Sequence, residues 1–193
     1  MTPLHRTLAG AAVVLGAFAP FAGSPYRTPQ AGVDIRSLAT EVANEEDHVT
    51  AIELATWIQE RKAGLRILDL RTAEEFDEYH LPHSENLPLE ALTTTRFAPD
   101  ETLVLLSGGG THAAQAWVFL RALGNQHVFF LRGGLQEWLD DVMSPTLAAD
   151  ASPETKARVS ALSRYFGGVP HTGTALPEPA AANSVTALRR RGC

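Results

Sequence analysis

The residues best placed to do chemistry lie in one run, LVLLSGGGTHAAQAW, from Leu103 to Trp117. An apolar, strand-like stretch ends at Ser107, three glycines follow, and Thr111-His112 lead into a helix-forming segment. A Gly-rich turn ahead of a helix N-terminus offers several bare backbone N–H groups at once, an arrangement suited to a small anion. A helix end alone contributes about 0.3–1 kcal/mol, whereas millimolar binding takes about 4 kcal/mol. Several N–H groups of Ser107, Gly108, Gly109, Gly110, Thr111 and His112 must therefore converge. A serine hydroxyl is a weak nucleophile without an activating base. His112 is the near candidate in sequence, but the helix dipole disfavours its cation, and Asp69 is a candidate orienting carboxylate. The plainer alternative is a turn in which Ser107 caps the helix or bonds locally.

Other candidates carry less. Gly108-x-Gly110-x-x-Ala113 fits a dinucleotide fingerprint. It sits on the fourth strand–helix unit rather than the first, and Leu131-Arg132 occupy the acidic position. His80, His83 and His112 suggest a metal, but Pro82 fixes the first pair in an extended turn, so no metal site and no cofactor is expected. Trp57, Trp117 and Trp138 have apolar helical neighbours, as core residues do. Glu45-Glu46-Asp47 has the look of a solvated acidic cluster. Cys193 is the only cysteine and the last of 193 residues. That excludes an intramolecular disulfide and a cysteine zinc site. Beside Arg189–Arg191 it is either an incidental thiol or one that could carry sulfane sulfur or meet a partner. The basic triplet could also touch anionic lipid.

The elements that must position these groups follow a strand–helix alternation. Strands are expected at His48–Thr50, Arg66–Leu70, Glu85–Leu87, Thr102–Leu106 and His127–Leu131. The clearest helices are Ile52–Arg61, Ala113–Leu123 and Leu135–Val142. Thr50-Ala-Ile-Glu53 and Thr72-Ala-Glu-Glu75 are capping boxes. Short apolar strands alternating with helices imply an α/β domain of three layers, a central parallel sheet of about five strands with helices on both faces. The net charge of −6 argues against a nucleic-acid partner.

Residues 1–23 carry a short positive lead and an apolar run from Leu8 to Gly23, the pattern of a signal peptide or an N-terminal membrane anchor. Either places the domain outside the cytoplasm, periplasmic or membrane-anchored. A spacer and short helix fill 24–44, with Ile35, Leu38 and Val42 on one side. The main domain spans 45–143. A docking helix follows in 144–168, with Ser152 as cap, Gly167 as stop and a stripe of Val159, Leu162 and Phe166. From Val169 to Cys193 the composition is that of a flexible basic tail.

Three stretches together resemble the rhodanese-like (sulfurtransferase) family. In ILDLRTAEEFDEYHLPHSENLP, the positions Asp69, Arg71, Glu75, Phe76, His80, Pro82, Asn86 and Pro88 match, while Tyr79, His83 and Ser84 depart. The Ser107 turn is similar to the family's active-site loop. VFFLRGGLQEW matches at Gly133, Gly134 and Trp138. The resemblance implies the family's fold, and it sets the family's catalytic cysteine at Ser107 and a frequent loop arginine at His112. Sulfur transfer needs a thiolate that can hold a persulfide, with a pKa near 8.5 when free and lower at a helix N-terminus. Ser107 cannot supply one. Two readings follow: a binding or scaffold module for a small sulfur-containing anion or a partner protein, and an enzyme handling sulfane sulfur with help from Cys193.

Overall fold

Thr50 and Thr72 open the first two helices of the sheet domain by the same reciprocal device. The Thr50 hydroxyl accepts from Glu53 N at 3.2 Å while the Glu53 carboxylate accepts from Thr50 N at 2.8 Å. Thr72 and Glu75 repeat it at 3.3 and 3.1 Å. Each pair satisfies donors that a helix start would otherwise leave bare. The Thr50 bonds also hold the Glu53 carboxyl below the usual carboxylate range.

The structure, a computed structural model, describes residues 34–173 together with helical positions 3, 5, 8, 9 and 13. The chain divides into one unit over Met1–Gly32 and another over Val33–Cys193. Apart from those five positions, the expected leader and the spacer up to residue 33 lie outside the described residues. So do residues 174–193, with Arg189–Arg191 and Cys193. No described helix is long and apolar enough to cross a membrane.

In chain order the second unit runs α1 (Ile35–Ala43), β1 (His48–Val49), α2 (Ala51–Gln59), β2 (Leu65–Asp69), α3 (Ala73–Glu78) and β3 (Ser84–Asn86). It continues with α4 (Leu89–Leu92), β4 (Thr102–Leu106), α5 (Thr111–Ala122), β5 (Val128–Leu131) and α6 (Gly134–Trp138). A π-helix (Leu139–Met143), β6 (Thr146–Leu147), α7 (Pro153–Tyr165) and β7 (His171–Thr172) close it. The main sheet has the order β1-β5-β4-β2-β3, with every pair parallel.

Strand β4 lies at the centre, and its alternation divides the core. Val104 and Leu106 join Ile67, Leu131 and Trp138 on one face. Leu103 and Leu105 join Leu68, Val128 and Trp117 on the other. Both faces are apolar because helices cover both, as an all-parallel sheet requires. The three-layer α/β expectation therefore holds.

Several local expectations need correction. Leu135–Val142 is not one α-helix: α6 ends at Trp138 and the chain goes on as a π-helix. Buried Leu139 and Val142 satisfy either winding, so apolar spacing could not separate them. The tail does not begin at Val169, because Val169 N donates to Met143 O and His171–Thr172 pairs with Thr146–Leu147. Two-residue strands carry no alternation to read. Asp47 is buried, with its Oδ1 2.8 Å from His48 Nδ1, so only Glu45 and Glu46 of that cluster are solvated. Of the α1 stripe only Leu38 packs on the core, while Ile35 and Val42 are exposed.

Candidate active-site loop

From β2 the chain steps outward to β3, and from β4 it steps the other way to β5. The carboxyl ends of β2 and β4 therefore flank a switch point, the usual seat of a ligand in an open α/β sheet. Asp69 ends β2 and Ser107 follows β4 directly.

Ser107 is almost wholly buried, and its hydroxyl turns into its own loop. Oγ accepts from Gly110 N at 3.1 Å and from Ala113 N at 3.3 Å. It is thus a local cap, one of the two roles expected for it. The helix begins at Thr111, two residues earlier than expected, because Gly110 enters at φ 88° and acts as the N-cap. The N–H groups of Gly108, Gly109, Thr111 and His112 meet no acceptor among the described residues. Thr111 and His112 are exposed, and the first two glycines are half-buried. One loop therefore combines two donors consumed by Ser107 with four left open at a helix N-terminus.

The next strand–helix turn braces this loop from behind. Leu135 N donates to Ser107 O at 2.9 Å and Gln136 N to Gly108 O at 3.2 Å. With its carbonyls held by α6, the loop keeps its N–H groups for other acceptors. The close approach explains the glycines. A Cβ on Gly134, at φ 60°, would collide with Ser107 O and lie 2.6 Å from Gly110 N. A Cβ on Gly110 would lie 3.1 Å from Gly133 N. The clamp from Leu135 and Gln136 was not foreseen in the sequence; its only signal was the Gly133-Gly134 pair.

Asp69 and Arg71 form a second unit beside the loop, and it is closed. Arg71 Nη2 meets Asp69 Oδ2 at 2.6 Å, and Nε meets Oδ1 at 3.0 Å. The guanidinium also donates to Glu75 O at 3.3 Å and Tyr79 O at 2.7 Å. Asn86 Nδ2 donates to the backbone oxygens of Asp69 and Arg71. With both side chains buried, the pair ties the end of β2 to α3 and to β3. This corrects the expectation that Asp69 could orient His112. Its carboxylate is already bound at both oxygens, and no imidazole or carboxylate among the described residues bonds Ser107. Ser–His acyl transfer loses its geometry.

The remaining signature residues build the frame. Glu75 completes its capping box. Trp138 is fully buried and its Nε1 donates to Tyr79 Oη at 3.1 Å. Burial raises the Tyr79 phenol above its ordinary value, opposed by the Trp138 bond and by Arg71. Tyr79, a departure from the family pattern, thus supplies the acceptor that a buried indole N–H needs. His80 stacks on Phe76 with ring centroids 4.2 Å apart and bonds Phe76 O through Nδ1. Among the described residues no three His, Cys, Asp or Glu side chains gather as metal ligands.

Residues 50–141 match the family described as the rhodanese-like domain. No curated protein matches the chain. Among solved structures, a rhodanese-like domain protein from Staphylococcus aureus is 26% identical, with 49% of this chain and 93% of that one covered and a TM-score of 0.45. A human single-domain sulfurtransferase is 25% identical over 48% of this chain and 95% of its own, with a TM-score of 0.43. A rhodanese-like domain from Anabaena is 24% identical over 48% and 72%, with a TM-score of 0.44. The sheet, the braced loop and the family match agree: residues 50–141 of this chain are a rhodanese-like domain.

Proposed function

We propose that this rhodanese-like domain binds a small anion, sulfur-containing in the first instance, at the Ser107–His112 loop without transferring sulfur from it. The observation that carries this reading is the placement of the Ser107 hydroxyl. It is buried and spends its acceptor capacity on Gly110 N and Ala113 N, at the position to which the family resemblance assigns the catalytic cysteine. A thiolate there could attack a sulfane sulfur and hold it as a persulfide. A hydroxyl without a base can do neither. Four open N–H groups at the start of a 12-residue helix support the retained anion affinity.

Thiocyanate formation from thiosulfate and cyanide tests the reading. The full chain and its Cys193→Ser variant should both be inactive. Ser107→Cys in the Cys193→Ser background should install a thiol titrating below about 7.5 that takes up sulfur as a persulfide detectable by mass. Turnover by the unaltered chain that survives Cys193→Ser would overturn the proposal. Turnover lost on Cys193→Ser would assign the sulfur chemistry to that thiol instead. A new thiol titrating at 8.5 or above would remove the anion cradle.

A further inference from the structure

The opposite end of the sheet holds a second candidate site. A cavity of about 400 Å³ opens beside the start of β2 and the end of α2. Its lining includes buried Ile58 and Ile67, half-buried Trp57 and the more exposed Tyr165. Arg61, Lys62 and His83 complete the lining, and no acidic residue contributes. None of these three side chains pairs with a carboxylate among the described residues. A volume of this size suits a small molecule, and pockets of that kind join an apolar body to a few placed polar groups.

The backbone singles out the same place. Only three described non-glycine residues have positive φ, and two of them, Arg61 at 54° and His83 at 62°, line this cavity. Arg61 closes α2 in a left-handed turn, with its N–H on Ile58 O and that of Lys62 on Trp57 O. Glycine is the low-cost residue for that position; arginine accepts strain there and adds a cation. Lys62 Nζ lies 3.7 Å from the centre of the Trp57 ring, whose edge packs against Phe129. Trp57 is therefore both a core residue and a cavity wall, a refinement of its expected role.

We propose that this cavity binds a small aromatic carboxylate. Its ring lies among Trp57, Tyr165 and the isoleucines. Its carboxylate is held by Arg61 and Lys62, with His83 adding to the field when protonated. Guanidinium favours carboxylate through paired N–H bonds, and the aromatic and aliphatic lining favours an apolar aromatic body over an inorganic ion. Nothing in this site depends on the Ser107 loop.

Titration of the full chain with 1-naphthylacetate and with its neutral amide, followed by calorimetry and by the Trp57 indole N–H resonance, tests the assignment. The acid should bind at least about tenfold tighter than the amide, as charge-assisted bonds require, and should shift the Trp57 signal. Arg61→Gly keeps the left-handed turn, so a fold-neutral variant should lose about tenfold in affinity, and Lys62→Met should lose affinity as well. Equal affinity for acid and amide, no binding of either, or unchanged affinity in both variants would overturn the proposal. Displacement by thiosulfate with shifts at Gly108–Gly110 would overturn it too, by moving the ligand to the loop.

Discussion

At the carboxyl ends of the strands the groups open to an anion are backbone N–H groups of Gly108, Gly109, Thr111 and His112. At the amino ends they are the side chains of Arg61, Lys62 and His83. The first region has its own charges locked away, since Arg71 is spent on Asp69 and Arg132 on Glu137. It holds its shape by glycines pressed against backbone. The second has basic side chains with no carboxylate partner among the described residues, and two of them, Arg61 and His83, sit on left-handed backbone that glycine would adopt more cheaply. A site built from main chain is rigid and nonspecific in charge geometry. One built from side chains is adjustable and can select an organic body. The difference predicts where substitutions will damage the fold and where they will damage only binding.

The largest effect is expected at Arg71. Arg71→Ala leaves the Asp69 carboxylate buried without its partner, and breaking such a pair costs about 3–5 kcal/mol. Urea unfolding should show this as a large fall in midpoint. Asp69→Asn added to Arg71→Ala should recover part of the loss, because the orphaned charge goes with it. A loss under about 1 kcal/mol would place this pair among surface bridges and undo the contrast between the two ends.

Gly134 comes next. Gly134→Ala meets both a disfavoured left-handed backbone and the Ser107 carbonyl, so a cost above about 2 kcal/mol is expected. Gly167 is the control. It also has positive φ, 79°, but open space around it, and Gly167→Ala should cost only about 1 kcal/mol. Thermal unfolding of the two variants separates steric contact from backbone strain. Equal costs would mean that the loop is not braced by the turn behind it.

The parts that were legible in the sequence are those written in spacing. The capping boxes at Thr50 and Thr72 and the apolar run of β4 located helices and strands within two residues. The glycines of both turns marked the loop. What stayed hidden depends on where a side chain turns, even toward a near neighbour, and on partners far along the chain. Asp69 reads as a free carboxylate until Arg71 is seen curled back onto it, with Tyr79 O and Glu75 O on the other donors. The cavity at Trp57 joins residues from α2, β2, the turn before β3 and the end of α7. No local pattern links His83 to Tyr165.

The smallest effect concerns Asp141, on the π-helix that follows α6. Burial, then Glu137 and Asp140, raise its carboxyl above the ordinary 3.8, with Arg132 opposing weakly. Lys156 lines the same small cavity but its ammonium donates to Ala149 O at 2.7 Å. A carboxyl that holds its proton more tightly in the folded state favours folding fully only below its unfolded value. That contribution is lost as pH rises through the folded one. At neutral pH the charged Asp141 is therefore a slight cost, and Asp141→Asn should stabilise the protein by less than about 0.5 kcal/mol, since the side chain is partly exposed. Thermal unfolding from pH 3.5 to pH 7 should show the gain growing with pH above 3.8. A loss of stability at pH 7 would mean that this carboxylate is paired after all, as those of Asp69 and Glu137 are.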